Sequence, residues 1–109
     1  MTEQQIYKII ENKDLLIARV NEMFNNGYRL VQISATKKDN YDLLYSFAKK
    51  SEFIHLRLAV DFGDSIDSIS GIFPYSYLYE NEIKDLFGLQ IRNINFDFKG
   101  NFYKVKAEQ

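Results

Sequence analysis

The sequence predicts an α+β domain: an antiparallel sheet, made of a three-stranded meander with an N-terminal strand added, packed against two helices and followed by an extended aromatic C-terminal tail. Three observations carry this. Residues 53–62 alternate, with Ile54, Leu56, Leu58, Val60 and Phe62 on one face and His55, Arg57 and Asp61 on the other, the period of a half-buried strand. The two stretches before it, 28–37 and 41–49, are separated from each other and from it by the short polar turns Lys38-Asp39-Asn40 and Lys50-Ser51-Glu52, and strands joined so closely run antiparallel. Two further stretches carry apolar residues at helical spacing between recognisable ends, and they supply the cover that one face of such a sheet requires.

In chain order, residues 2–11 fit two patterns. Ile6, Ile9 and Ile10 suit a helix face, whereas Q-I-Y-K-I-I-E reads as a β-branched strand, and the strand is adopted. Asn12 is placed as an N-cap with Asp14 in the first turn; Leu16, Ile17, Val20, Met23 and Phe24 follow at helical spacing, and Asn25-Asn26-Gly27 closes a helix over about 13–26. After the meander, Gly63-Asp64-Ser65 breaks the chain. The segment 65–73, S-I-D-S-I-S-G-I-F, has Ile at every third position and fits a short edge strand or a helical turn. Beyond residue 89, Ile94, Phe96 and Phe98 alternate, Lys99-Gly100-Asn101 suits a hairpin turn and Phe102-Tyr103-Lys104-Val105 a return strand. There is no internal repeat, so residues 1–109 read as one domain, with the tail from about 90 extended or docked on a partner.

The stretch 74–89, P-Y-S-Y-L-Y-E-N-E-I-K-D-L-F-G-L, is the second helix. Pro74 suits its first turn and Gly88 the left-handed position just past its end. Wound at about 100° per residue, Tyr75, Leu78, Tyr79, Ile83, Leu86 and Phe87 share one half of the circle, with Asn81, Lys84 and Asp85 towards the other. Glu80 falls at the rim and Glu82 inside the apolar arc, so Glu82 is expected to be the carboxylate that meets the core. A carboxylate there needs donors or takes up a proton. Spacing favours a structural ion pair over a site carboxylate, and it predicts that Glu82→Ala is more damaging than Glu80→Ala.

Composition removes several classes of function. The net charge is -1, and no basic stripe alternates with aromatics to hold nucleic acid. With 0 Cys and 1 His, the chain has no disulfide, no thiolate-held cluster and no conventional zinc site. The 5 glycines form no phosphate loop, and no Ser sits in a nucleophile elbow. His55 lies on the polar strand face without a clear partner, and Glu80, Glu82 and Asp85 spread around the helix instead of converging on a cation. The N-terminus is polar and no apolar run reaches a membrane span, which predicts a cytosolic chain or one docked from the cytosol. Aromatics at 16% point to a heavily aromatic core or to an apolar surface covered by another protein.

The run 79–89, Y-E-N-E-I-K-D-L-F-G-L, resembles the signature of the 30 kDa subunit family of respiratory NADH:quinone oxidoreductase, roughly E-R-E-x-x-D-M-F-G-I. Glu80, Glu82, Asp85, Phe87 and Gly88 match it position for position. The lead-in S-I-S-G-I-F-P of 68–74 resembles the same family's S-v-t-x-i-w-P, whereas the run G-Y-R-L-V-Q-I-S-A of 27–35, the meander and D-F-K-G-N-F-Y of 97–103 are most similar to the short accessory subunit of energy-converting (Ech-type) membrane-bound nickel–iron hydrogenases. Asn81 and Lys84 stand where the respiratory proteins carry Arg and Tyr, and Leu89 is followed by Q-I-R-N-I-N-F instead of a His-Pro and Arg-pair segment.

The resemblance implies a cofactor-free subunit, peripheral on the inner, cytoplasmic face of the cell membrane. It would pack against the hydrogenase large subunit and the iron–sulfur subunits, which would hold the nickel–iron centre and clusters. Glu80, Glu82 and Asp85 would orient the helix and pair with Arg57, Arg92 or a partner's cations, while Phe87 and Gly88 would set the exit into the tail. It also implies an exposed apolar strip near Phe96, Phe98, Phe102 or Tyr103. Two alternatives stand beside it: a free-standing homo-oligomeric binding domain, and a small enzyme pairing Glu82 with His55, which requires those side chains to share a pocket.

Overall fold

The computed structural model describes residues 3–99. The proposed hairpin turn at Gly100-Asn101 and the return strand 102–105 lie outside them. Strands β1 (Gln4–Ile9), β2 (Arg29–Lys37), β3 (Tyr41–Lys49) and β4 (Glu52–Val60) form one sheet in the order β1-β4-β3-β2. β2, β3 and β4 are the expected antiparallel meander, and β1 joins it parallel to β4, Ile6 opposite Ile54. A parallel neighbour cannot be reached by a tight turn. The connection runs through helix α1 (Leu16–Asn25), which crosses from β1 at one edge to β2 at the other.

The ends of α1 follow from its sequence. Asn12 accepts a hydrogen bond from the Asp14 N–H at 2.8 Å and starts the 3-10 turn Lys13–Leu15 that leads into the helix. Gly27 takes φ 84°, letting the N–H groups of Gly27 and Tyr28 reach back to the carbonyls of Phe24 and Met23. Leu16, Val20 and Met23 are buried from α1. They meet Leu43, Tyr45 and Phe47 of β3 and Ile54, Leu56, Leu58 and Val60 of β4 in one core. Phe62, expected on that buried face, lies beyond the end of β4 and is 49% exposed, its ring set edge-on to Tyr41 at 5.0 Å. The strand stops at Val60, so alternation has no backbone partner to carry it further.

Residues 65–73 combine the two forms their spacing allowed. Ser65–Asp67 is strand β5, and the chain then turns through Ile69, whose carbonyl accepts from the N–H groups of Ile72 and Phe73. The 3-10 turn Pro74–Ser76 opens helix α2 (Tyr77–Phe87), and β6 (Gln90–Arg92) returns parallel to β5. This small β5-α2-β6 unit covers the inner face of the sheet on the β2 side. Tyr79 donates to the carbonyl of Val31, the residue at which β2 bulges.

Candidate functional site

The motif residues sit on α2, and the helix is turned by roughly a quarter turn from the orientation its apolar arc suggests. Ser76, Glu80, Asn81 and Ile83 are buried, whereas Tyr75, Leu78 and Leu86 are exposed. Glu80, not Glu82, is the carboxylate in the core: its residue is 1% exposed, and Glu82 is half-buried on the outward side between Leu78 and Leu86. The expectation that Glu82 meets the core is therefore corrected. Donors decide the orientation. The carboxylate of Glu80 accepts from Ser68 Oγ at 2.7 Å, Ser76 Oγ at 2.9 Å and the Ile69 N–H at 2.9 Å, so its burial is compensated by three bonds.

The network extends one layer further. Ser68 Oγ has one proton and gives it to Glu80; Ser70 Oγ, 2.8 Å from Ser68 Oγ, then donates to it and accepts from the Asn95 N–H at 3.0 Å. Burial pushes the Glu80 carboxyl above its usual range, and its hydrogen bonds from Ser68, the Ile69 N–H and Ser76 pull against that. Tyr45, packed below in the core, has its phenol pushed well up by burial and, secondly, by the Glu80 charge.

Asn81, one of the positions that departs from the respiratory signature, ties down the tail. Its side-chain amide donates to the carbonyls of Tyr77 at 2.8 Å and Phe96 at 2.6 Å, and its side-chain oxygen accepts from the Phe98 N–H at 3.0 Å. Lys84, the other departure, donates to both carboxylate oxygens of Asp97 at 2.8 Å, and this hydrogen bond holds the Asp97 carboxyl below its usual range. The rings of Phe96 and Phe98 lie 5.0 and 6.3 Å from that of Tyr77. Of the strip expected near the tail, Phe96 is exposed and Phe98 is half-buried. At the helix end, Gly88 adopts φ 77°, and the freed carbonyl of Phe87 accepts from Tyr41 Oη at 3.0 Å and Lys37 Nζ at 3.2 Å. Asp85 and Phe87 are half-buried.

The basic partners named from sequence are engaged elsewhere. Arg57 pairs with Asp42 across the outer face of the sheet, and Arg92 with Asp67 at 3.1 Å between β5 and β6. His55 also stands on that outer face. Its ring stacks on Tyr7 at 4.6 Å, donates from Nε2 to Gln5 Oε1 at 2.6 Å and meets Ser46 Oγ at 2.7 Å through Nδ1. Glu82, on α2, lies on the other side of the sheet, so the two share no pocket and the acid–base pairing fails on geometry. Among the described residues, no three His, Asp or Glu side chains form a metal-binding group, and no helix is long and apolar enough to cross a membrane.

Sequence reasoning missed the buried roles of Ser68, Ser70, Ser76 and Asn81. The i, i+4 spacing of Ser76 and Glu80 is a signal that two polar groups share a helix face, but nothing local says that this face points inward. The arrangement as a whole positions backbone: three segments distant in sequence are fastened to one helix. The model of a family described as respiratory-chain NADH dehydrogenase, 30 kDa subunit, matches residues 10–96, from the end of β1 to the tail anchor. No curated protein matches the chain.

Proposed function

The chain belongs to the respiratory-chain NADH dehydrogenase 30 kDa subunit family, and we propose that it is a cofactor-free, non-catalytic subunit of a membrane-bound energy-converting hydrogenase of the nickel–iron type. In this reading it packs against the large catalytic subunit and the iron–sulfur subunits on the cytoplasmic face of the membrane, and its neighbours hold all the metal centres. The observation that carries the reading is the state of the motif. Glu80, its most deeply buried acid, has its oxygens occupied by Ser68, Ser76 and Ile69 of the same chain. The motif thus builds a rigid element and presents the opposite, apolar side of α2 outward. The form E-N-E-I followed by L-F-G, and the run Q-I-R-N-I-N-F after Leu89, support the hydrogenase branch over the respiratory one.

The test is isolation of the chain, tagged at its own locus, from the native host. The expected result is co-purification with a large subunit and iron–sulfur subunits, with nickel and iron bound in those chains. Recovery as a free homo-oligomer, or with partners that contain no nickel, overturns the assignment.

A further inference from the structure

The edges of the four-stranded sheet differ. β2, at one edge, bulges between Leu30 and Gln32, packs against α2 and gives its Val31 carbonyl to Tyr79 Oη. A bulge turns an edge away from further pairing, and here the helix has also taken one of its acceptors. β1, at the other edge, is protected in neither way by the described residues. The N–H groups of Gln4 and Ile10 donate to the carbonyls of Ser51 and Arg57. Backbone groups alternate in direction along a strand, so the even-numbered residues of β1 bond to β4. The N–H and C=O groups of Gln5, Tyr7 and Ile9 then point away from the sheet.

This edge is held in place. On the outer face, the Tyr7 ring stacks on His55 at 4.6 Å and Gln5 Oε1 accepts from His55 Nε2 at 2.6 Å, so side chains as well as backbone fix β1 to β4. Tyr7 and Ile9 are nonetheless 67% and 75% exposed there. On the opposite face, Lys8 lies level with Leu56, is exposed and meets no carboxylate among the described residues.

These features select an occupant. Unpaired donors and acceptors that repeat about every 7 Å are matched by another extended chain, which adds to the sheet as a strand. A Lys on the covered face of an edge strand rejects any strand that leaves it without a carboxylate. A second copy of this chain is such a strand. When two β1 edges pair antiparallel through their free groups, Lys8 stands opposite an even-numbered residue, and within β1 those are Gln4, Ile6 and Lys8 itself.

Resting on the subunit reading above, we propose that the free edge of β1 receives an extended strand of a partner subunit, in which an Asp or Glu facing Lys8 stands between two apolar residues facing Tyr7 and Ile9. The strand exchanges backbone hydrogen bonds with Gln5, Tyr7 and Ile9 and lengthens the sheet beyond β1.

The test compares amide hydrogen exchange in the tagged full chain alone and in the complex isolated from its native host. In the chain alone, the amides of Gln5, Tyr7 and Ile9 are expected to exchange faster than those of Ile6 and Lys8. In the complex they are expected to slow by about tenfold or more. A photo-crosslinking residue in place of Tyr7 is expected to attach to one extended segment with the order apolar, acid, apolar. Ile9→Pro removes an N–H of the free edge and no bond to β4, and is expected to remove the protection at Gln5 and Tyr7; Ile9→Thr, which keeps the N–H, leaves it in place. Lys8→Glu also removes it, and Lys in place of the crosslinked acid restores it. Circular dichroism confirms that each variant is folded. Unchanged exchange at Gln5, Tyr7 and Ile9 in a complex that holds the other subunits, or a crosslink to a helix or to a second copy, overturns the strand proposal while the subunit reading stands. A wild-type chain that co-purifies with no subunit overturns both.

Discussion

Replacing Glu80 by alanine is expected to cost far more stability than replacing Glu82, the reverse of what the helical wheel suggests. Removing the Glu80 carboxylate strands the Ile69 N–H, the Ser76 hydroxyl and one of the two protons of the Ser68–Ser70 pair. Each stranded group costs about 1–3 kcal/mol, and the emptied volume adds to that. Release of a buried charge, whose burial raises the carboxyl's pKa, offsets part. The net is about 3 kcal/mol, and at about 4 °C per kcal/mol for a chain of this size the melting point falls by about 12 °C. Glu82→Ala, on the half-exposed side, is expected to stay within about 0.5 kcal/mol, or about 2 °C. Thermal melts followed by circular dichroism, with urea midpoints as a second measure, check both. If the Glu82 variant melts as low as the Glu80 variant, the account of which carboxylate anchors α2 is wrong.

Two other outcomes follow from the same contacts. Because the Glu80 carboxyl is pushed up in the folded state, its contribution to stability is fully present below the ordinary carboxylate pKa and is lost as pH rises through the raised folded value. Glu80→Gln cannot ionise, so its stability relative to wild type should climb across that window; urea midpoints that track each other at every pH would contradict the shift. Asn81→Ala removes the bonds to Phe96 and Phe98 and should cost about 1–2 kcal/mol. Amide exchange at Phe98 should quicken, and an unchanged Phe98 rate would show that the tail is held by something else.

The parts of the fold that were legible in the sequence are those fixed by local chemistry. Alternation in β4 and the short polar turns define the meander, since period two buries one face whatever the rest of the chain does. Asn12, Gly27 and Gly88 mark helix ends by satisfying or freeing backbone groups within a few residues, and each does so in the structure. The residues of the 79–89 motif were also legible as a set, and the family match covers them. Their individual roles were not. Asn81 looked like a mere departure from a signature, yet it is the clasp of the tail.

By itself, then, the sequence determined the strands of the four-stranded sheet, the helix ends and the family to which the chain belongs, while β6 went unseen and β5 was left open. Its 0 Cys also excludes a disulfide or a thiolate-held cluster within the chain. Only the tertiary structure decided which side of α2 faces inward. Hydrophobic periodicity weighs each side chain as though it were transferred alone from water, and on that scale Glu80 belongs outside. The donors that reverse the balance stand 12 and 11 residues away, at Ser68 and Ile69, and no local window brings them to the helix. Turning the polar face inward satisfied those groups and left Tyr75, Leu78 and Leu86 facing out, which is why their exposure appears only once the chain is folded.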